Sequence, residues 1–294
     1  MDIIFSELNH TGIITLNRPK ALNALNLDMA KRLYDKLNQW EDSDNILRVL
    51  LIGEGNHFCA GGDVKSLFLS GKTHRLKYDF FKTEYRLNYF ISQFSKEFLS
   101  IWNGVVMGGG VGLSLYGDHR LATSNTKFAM PETAIGFFPD VGGSYFLSNL
   151  PGNFGKYIAL TSEVLTINEL LFFGLATHYY ELTEFENIKD KFINYGEIFS
   201  KKYEISNDSF IIKNINLIND IFNGNIHEVI KNLKEDGSEF SNKNLEILLK
   251  KCPMSLALTT KLIENAKGKS LKECLEIEFQ LSQKIVYRDD FDNG

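Results

Sequence analysis

The spacing of apolar residues divides the first half of the chain into short strands and helices. The segment IIFSELNHTGIITLN indicates two strands around a turn at Asn9–Gly12. In LDMAKRLYDKLNQW apolar residues recur at helical spacing, and RVLLIG is a short apolar run typical of a buried strand. This order of strand, helix and strand predicts a β-α-β layout around a core sheet.

The pattern becomes increasingly helical along the chain. Residues Ser66–Lys96 are polar and aromatic and indicate helix, whereas EFLSIWNG and parts of HRLATSNTKFAMPE indicate short strands. Beyond Asp140 the pattern is helical almost to the end, with amphipathic stretches such as KSLKECLEIEFQLSQKIV. We therefore predict an α/β core over residues 1–183 and a helical C-terminal region over residues 184–294.

Composition places the chain among ordinary globular proteins. Of its 294 residues, 44% are hydrophobic and 23% are charged, so a core of normal size can form. The net charge of −5 gives no basic footprint of the kind that nucleic-acid-binding proteins carry. No apolar run approaches the roughly 20 residues of a membrane span. We expect neither a nucleic acid nor a membrane as partner.

Cysteine and histidine usage limits the chemistry further. The three cysteines are odd in number and not closely paired, which favours a reducing compartment over a disulfide framework. The six histidines are scattered without an HExxH pattern, so we expect no metal site. Because a strand-like segment follows Met1 almost at once, we see no targeting segment. We expect an intracellular protein, in the cytoplasm or the mitochondrial matrix.

Three consecutive glycines interrupt the otherwise helix-like apolar run VVMGGGVGLSLYG, where each would cost about 1 kcal/mol relative to alanine. The run is not a dinucleotide-binding loop, since Leu113 replaces the third glycine. The segment SGKT at Ser70–Thr73 is not a P-loop, since Ser66 replaces its first glycine. The G-x-S-x-G pattern of a nucleophile elbow is not met either, since its last glycine is replaced by Tyr116 in GLSLY and by Phe146 in GGSYF.

The chemistry that remains for these glycines is that of the bare backbone. Glycines that lead into a helix N-terminus expose N–H groups toward an anion or a developing oxyanion. A second glycine-rich turn, FCAGGD, also follows a predicted strand, so two turns could each direct one N–H at the same carbonyl oxygen. On the residues alone, an oxyanion hole and ordinary tight turns with close helix–sheet packing both remain open.

Longer segments resemble a known family. FCAGGDV, MGGGVGLSLYG and FAMPETAIGFFPDVGGSYFLSNL resemble the crotonase (enoyl-CoA hydratase/isomerase) superfamily, and LNRPKALNAL, EYRLN and EFQLSQKIVYRDDF are similar to its 3-hydroxyisobutyryl-CoA hydrolase branch. The resemblance extends from about Asn17 to Phe291. It implies a β-β-α spiral core, an acyl-CoA substrate and no cofactor beyond the CoA of that substrate. Crotonase-like proteins commonly form trimers, so the resemblance allows a trimer-like homo-oligomer.

The resemblance also implies roles for five residues. The N–H groups of Gly62 and Gly109 would form an oxyanion hole for the thioester oxygen. Glu132 would attack the thioester carbonyl or activate water for that attack. Asp140 would bind the substrate hydroxyl and serve as proton donor, and Glu84 would help line the acyl pocket. Two nearby carboxylates would push their pKa values apart, which suits one acid and one base.

Each carboxylate has a structural alternative, and the activity has rivals. Glu132 could be a charge at a helix N-terminus, Asp140 an N-cap and Glu84 an exposed helical charge. Hydratases of the superfamily carry a glutamate where this chain has Gly112, so thioester hydrolysis, as in valine breakdown, is favoured over hydration. The alternatives are a hydratase or isomerase activity, and a non-catalytic paralogue that acts as a ribosome-associated assembly protein.

Two departures from the branch bear on the site. The branch usually has proline where this chain has Glu97, which predicts an altered approach to the strand before the glycines. The family normally continues beyond RDDFDNG through a segment that helps close the site or packs against a neighbour. We therefore expect a less covered site, and reduced activity if the chain naturally ends there.

Overall fold

The computed structural model describes residues 1–71, 75–198, 201–206 and 209–292. Within these ranges the strands are β1 (Ile3–Leu8), β2 (Thr11–Leu16), β3 (Arg48–Gly53), β4 (Glu97–Trp102), β5 (Val105–Met107), β6 (His119–Ala122), β7 (Lys127–Ala129) and β8 (His178–Tyr179). The α-helices are α1 (Leu27–Glu41), α2 (Val64–Leu69), α3 (Arg75–Gln93), α4 (Gly109–Gly112), α5 (Gly143–Ser148), α6 (Phe154–Thr161), α7 (Ile167–Phe172), α8 (Phe185–Tyr195), α9 (Phe210–Lys213), α10 (Ile215–Ile221), α11 (Ile226–Asp236), α12 (Glu239–Leu249), α13 (Pro253–Ala266), α14 (Leu271–Ile285) and α15 (Asp289–Asp292).

Two sheets organise the first part of the chain. The larger has six strands in the order β1-β2-β3-β4-β6-β8, and the smaller pairs β5 with β7. Among the strand pairs of the described residues, β1–β2 is antiparallel and the others are parallel. Parallel neighbours require crossover connections, so helices α1 and α3 lie between successive strands of the larger sheet. The predicted α/β class is confirmed.

The elements predicted from the N-terminal pattern are present. Strands β1 and β2 form a hairpin whose turn residues Asn9 and His10 have φ of 48° and 64°, as the favoured two-residue hairpin turn requires. Helix α1 begins where the Asn26 side chain accepts a hydrogen bond from the Met29 N–H at 2.9 Å. Its apolar face is buried, as its spacing predicted.

The structure corrects the sequence prediction at three places. The helical stretch at Ser66–Lys96 is two helices, α2 and α3, and Lys72 and Thr73 of the SGKT segment lie outside the described residues. The apolar run before the glycines, expected to be helix-like, starts as strand β5 and becomes helical only at Gly109. The helical region beyond Asp140 contains strand β8. Two or three residues are too few to show an alternating pattern.

The C-terminal helices pack directly on the sheet-bearing part. The main hydrophobic core includes Ile14 of β2 together with Leu275 of α14, and α14 packs against α3 and α5. A second apolar cluster joins Leu50 of β3 to Phe192 of α8 on the other face of the sheet. The predicted boundary near residue 183 stays a prediction. Across the described ranges, no helix is both long and apolar enough to cross a membrane.

Candidate active site

The two glycine-rich turns lie against each other. Gly61 and Gly108 have φ of 113° and 47°, a region that glycine adopts without strain. A Cβ atom built on Gly61 would lie 3.5 Å from the backbone nitrogen of Gly109, and one built on Gly109 would lie 3.2 Å from the nitrogen of Gly62. The structure therefore brings the two predicted oxyanion donors together.

Backbone hydrogen bonds fix the two turns to each other. The Cys59 N–H donates to the Val105 carbonyl, and the Met107 N–H donates to the Cys59 carbonyl, both at 3.0 Å. This short ladder continues strand β5 and delivers the chain to Gly109, the first residue of α4. Burial raises the pKa of the Cys59 thiol to about 12. Cys59 therefore behaves as a small buried apolar residue rather than a nucleophile.

Each glycine of the triple permits a different close approach. A Cβ atom on Gly108 would lie 2.8 Å from Oε1 of Glu132, and one on Gly109 would lie 2.5 Å from Oε1 of Glu84. A Cβ atom on Gly110 would collide with the Cys59 carbonyl oxygen. The first two approaches involve carboxylates and the third involves the neighbouring turn, which explains why three glycines occur in succession.

The donors of the two turns are available to a ligand. Neither the Gly62 N–H nor the Gly109 N–H donates a hydrogen bond to any residue that the structure describes. The first N–H groups of a helix have no partner within it, and Gly109 begins α4. A carbonyl oxygen placed between the two nitrogens would satisfy both, which is the geometry that an oxyanion hole needs.

The five predicted site residues line one small cavity. It has a volume of about 90 Å³ and is lined by Gly62, Gly109, Glu84, Glu132 and Asp140, among others. The three carboxylic side chains are 2%, 6% and 6% exposed in that order. They come from helix α3, from a short 3₁₀ turn and from the loop before α5, so the cavity is a junction of three elements.

The rest of the cavity wall is apolar and partly aromatic. These lining residues are Val64, Leu67, Phe80, Phe81, Ile135, Phe137 and Phe291. Phe137 stacks on Phe138 with ring centroids 4.4 Å apart and meets the edge of Phe291 at 5.6 Å. Such a wall lowers the local dielectric and strengthens interactions between charges inside. The small volume suits a short acyl group.

Burial makes all three carboxyl groups harder to ionise. It raises the pKa of Glu84 and of Glu132 well above the usual range, and the nearby Asp140 adds to both shifts. It raises the pKa of Asp140 to about 7, although a hydrogen bond from Tyr85 lowers it. Oε1 of Glu84 and Oε2 of Glu132 are buried with no partner among the described residues. Three such groups cannot all be ionised together at low cost.

The structure excludes the structural alternatives that were given for two of these residues. Glu84 is buried, so it is not an exposed helical charge. Asp140 does not cap α5, whose N-cap is Gly142; its Oδ2 atom instead accepts a hydrogen bond from the Tyr85 hydroxyl at 2.6 Å. Glu132 does occupy the first position of its 3₁₀ turn, yet it also faces the cavity.

Three residues around the carboxylates were missed at the sequence level. Tyr85 contacts Asp140, and Glu278 of α14 accepts hydrogen bonds from the loop that follows Asp140. Lys251 donates to Thr133 at 2.7 Å; burial lowers the pKa of Lys251 to about 8, while the charge of Glu132 opposes that shift. Both Glu278 and Lys251 lie far along the chain. Glu278 begins the segment EFQLSQKIVYRDDF, whose resemblance to the hydrolase branch marked the segment but not a role for this residue.

The place of the absent hydratase glutamate is filled by other side chains. A Cβ atom on Gly112 would lie 2.6 Å from Cβ of Val141 and 2.8 Å from Nδ2 of Asn88. Asn88 is fully buried, and both of its polar atoms lack a partner within the described part of the chain. There is no room for a longer side chain at residue 112. Among the described residues, no His, Cys, Asp and Glu cluster is arranged to hold a metal ion.

Comparison with known proteins identifies relatives over the whole chain. The family model described as enoyl-CoA hydratase/isomerase matches residues 11–294. The chain is 41% identical to the mitochondrial 3-hydroxyisobutyryl-CoA hydrolase of Xenopus laevis, over 99% of this chain and 80% of that protein. It is 37% identical to the human protein of the same name, over 100% of this chain and 80% of that protein.

Solved structures share the fold. A carnitinyl-CoA dehydratase from Mycobacterium thermoresistibile superposes with a TM-score of 0.93 at 32% identity, over 99% of this chain and 87% of that chain. An enoyl-CoA hydratase from Rhodobacter sphaeroides gives the same TM-score and coverage at 28% identity. These likenesses confirm both the predicted spiral fold and the resemblance seen in the motifs: the chain belongs to the enoyl-CoA hydratase/isomerase family.

Proposed function

We propose that this protein is an acyl-CoA thioester hydrolase that converts 3-hydroxyisobutyryl-CoA and water to 3-hydroxyisobutyrate and CoA, a step of valine breakdown. The curated relatives named for this activity are 35–41% identical over at least 99% of the chain. The observation that carries the proposal is the cavity that places Glu132 and Asp140 beside the unpaired N–H groups of Gly62 and Gly109.

The first half of the reaction forms a covalent intermediate. The thioester oxygen accepts hydrogen bonds from the N–H groups of Gly62 and Gly109, which stabilise negative charge as it develops. The Glu132 carboxylate attacks the carbonyl carbon, the C–S bond breaks, and the sulfur leaves with the proton of Asp140 as free CoA thiol. The product is a mixed anhydride on Glu132.

The second half returns the enzyme to its starting state. Water attacks the anhydride and gives one proton to the Asp140 carboxylate, and the Glu132 carboxylate leaves. The product departs as the free acid and loses its remaining proton to solvent, which gives 3-hydroxyisobutyrate. A pKa of about 7 for Asp140 suits both duties, because a group of that pKa exchanges protons in either direction near neutral pH. In the other route, Glu132 acts as a base and water attacks the thioester directly.

The roles of the remaining polar groups follow from their positions. Lys251 faces Glu132 closely enough for the two charges to interact, so it supports the ionised form that attack requires. Asp140 also binds the substrate hydroxyl, and Glu84, buried beside Gly109, helps line the acyl pocket. No cofactor beyond the CoA of the substrate takes part.

A thiol-release assay on purified acyl-CoA esters tests the proposal. The panel contains 3-hydroxyisobutyryl-CoA, isobutyryl-CoA and crotonyl-CoA. We expect the fastest thiol release with the hydroxylated ester and negligible hydration of crotonyl-CoA, because Gly112 cannot transfer a proton. Hydration at a rate comparable with thioester cleavage would establish the hydratase alternative. Failure of the folded protein to act on any ester would favour the assembly-protein alternative.

The setting of the activity is also part of the proposal. We propose an intracellular enzyme of the mitochondrial matrix or the cytoplasm, since the relatives carry "mitochondrial" in their names. A trimer-like homo-oligomer is the expected assembly, with acyl-CoA as the only ligand and neither nucleic acid nor membrane as partner. Light scattering of the purified protein and fractionation of its source cells measure these two properties.

A further inference from the structure

A fourth buried carboxylate lies directly behind the cavity, on helix α14. Glu278 is fully buried, and it accepts three hydrogen bonds. Its Oε2 atom accepts from the Gly142 N–H at 2.7 Å, and its Oε1 atom accepts from the N–H and the hydroxyl of Ser144 at 2.9 and 2.5 Å. Both oxygens therefore accept hydrogen bonds, whereas Oε1 of Glu84 and Oε2 of Glu132 have no partner among the described residues.

The three donors belong to a strained turn. Val141 has a φ of 53°, which is a genuine outlier for a β-branched residue, and Gly142 follows with a φ of 81°. Gly142 is the N-cap of α5 and Ser144 lies in the first turn of that helix, so both N–H groups point to the position in front of the helix and have no partner within it. Glu278 occupies that position, and the Tyr116 hydroxyl holds the other side of the turn by donating to the Val141 carbonyl at 2.9 Å.

The strained turn follows immediately after Asp140. The backbone angles of Val141 set the direction in which the chain leaves Asp140, so they also set where the Asp140 carboxyl lies relative to α5. That carboxyl lines the cavity and accepts a hydrogen bond from Tyr85. Strained residues persist at functional sites only where the surroundings over-determine them, and here Glu278 supplies three of the restraints.

We propose that Glu278 is a positioning residue for Asp140. Its carboxylate holds residues 142–144 and thereby keeps Val141 in the left-handed conformation that directs Asp140 into the cavity. The inference rests on the proposed hydrolase mechanism, because Glu278 acts on the reaction only through Asp140. It assigns a function to the C-terminal helix α14, which contributes no residue of its own to the proposed chemistry.

The central test is Glu278→Gln, alone and combined with Asp140→Asn. The amide keeps the shape of Glu278 but places an NH₂ group opposite a backbone N–H donor. We expect kcat for thiol release to fall about 10–10²-fold, with KM for isobutyryl-CoA, which has no hydroxyl for Asp140 to bind, little changed, as for a misplaced catalytic group. In the Asp140→Asn background the same substitution should have little further effect, since a residue that acts through Asp140 loses its influence with it.

Glu169 of α7 provides a matched control. It is also buried and accepts hydrogen bonds from the N–H and hydroxyl of Thr166, at 2.9 and 2.6 Å, and from the Ser209 hydroxyl. It does not line the cavity. Glu169→Gln should lower Tm with kcat unchanged. Equal losses of kcat in the two variants would show that Glu278 is only structural and would overturn the inference.

Relief of the backbone strain gives an independent readout. Glycine adopts the φ of residue 141 without penalty, so Val141→Gly should restore part of the kcat lost in Glu278→Gln. Val141→Ala removes nearly the same packing but keeps a Cβ atom, so it should restore less. If Glu278→Gln does not fold, Ser144→Ala removes one of the three hydrogen bonds and should show a smaller loss of kcat with the same dependence on Asp140.

The outcomes separate this inference from the function on which it rests. If the losses of kcat from Glu278→Gln and Asp140→Asn multiply in the double variant, the two residues act independently. That result would overturn the positioning role of Glu278 without contradicting the proposed hydrolase function. Full activity of Asp140→Asn would overturn the assigned mechanism and the inference with it. Absence of thiol release by the wild-type protein would overturn the proposed function first.

Discussion

Two kinds of buried carboxylate occur in this protein, and they differ in how many donors reach them. Glu169 lies between α7 and the segment before α9, where Thr166 and Ser209 supply its hydrogen bonds. Glu84 and Glu132 lie in the cavity, and each has a buried oxygen without a partner among the described residues. Their burial is similar, at 6% exposure for Glu169 and 2% and 6% for the other two.

The difference separates structural from functional groups. A buried carboxylate with its donors in place stabilises the fold, and removing it leaves those donors unpaired. A buried carboxyl group without donors opposes ionisation and destabilises the fold at neutral pH. Natural proteins retain such groups where activity requires them. Substitution of a cavity carboxylate should therefore cost activity and increase stability, whereas substitution of Glu169 should lower stability and leave activity unchanged.

The largest effect is expected for Glu132→Gln. The amide keeps the shape of the side chain but removes both nucleophile and base, so thiol release should be abolished while CoA-ester binding stays nearly intact. The same substitution removes a buried acid and should raise Tm at alkaline pH. Thiol release, isothermal titration with a CoA ester and thermal melting measure the three quantities. Near wild-type turnover would show that hydrolysis depends on solvent and the oxyanion hole alone.

Asp140→Asn should have the next largest effect, a decrease in rate of about 10²–10⁴, the usual range for a positioned proton-transfer group. The preference for 3-hydroxyacyl over unsubstituted acyl groups should weaken, because the substrate hydroxyl loses its carboxyl partner. Combined with Glu132→Gln, it should cause no further loss, since the two groups act as a unit. The ratio of kcat/KM for hydroxylated and plain esters is the deciding measurement. An unchanged ratio would contradict hydroxyl binding by Asp140.

The parts of this site that the sequence predicted are those encoded in short contiguous segments. Gly62 and Gly109 act through backbone N–H groups, and glycine is the residue that allows such close approaches, so the function is visible in the residue type. Glu132 and Asp140 belong to one segment, FAMPETAIGFFPD, and the resemblance of that segment to a known family identified both residues. The β1–β2 hairpin and α1 were predictable for the same local reason.

The parts that were missed depend on contacts between distant segments. Glu278 is 136 residues from Gly142, to which it is hydrogen-bonded. Its segment showed an amphipathic helix and a family resemblance, but neither indicated this contact. The burial of Glu84 required knowledge of what packs on α3. Strands β5 and β8 are defined by pairing with β7 and β6 rather than by any alternation of their own. Tertiary packing decides such features, and a single sequence does not display it.

A smaller effect is expected for Tyr85→Phe. If protonated Asp140 is the acid, activity should decline as pH rises through about 7, the pKa of that group. The Tyr85 hydroxyl donates to the ionised form and lowers this pKa, so its removal should move the alkaline limb of the kcat profile to higher pH. Tyr89→Phe, on the same helix but without a hydrogen bond to Asp140 in the described part of the chain, is the control. If the alkaline limb of the kcat profile stays at the same pH in Tyr85→Phe, the limb does not report the ionisation of Asp140.

The smallest and most general effect is the pH dependence of stability. The pKa values of Glu84, Glu132 and Asp140 are raised above those of unfolded carboxyl groups, so the folded state binds more protons. Stability from these groups is complete below the unfolded value of about 4 and is lost as pH rises through each folded pKa, which is about 7 for Asp140. Tm should therefore be higher at about pH 6 than at about pH 8. Asp140→Asn should flatten this slope in part, because it removes one of these groups. Glu278, whose pKa burial raises to about 8, continues to titrate in the same interval. Glu169→Gln should lower Tm at both pH values and leave the slope unchanged. Thermal melts of the three proteins at both pH values measure this, and a slope equally steep in Asp140→Asn would show that the cavity carboxyl groups do not oppose folding.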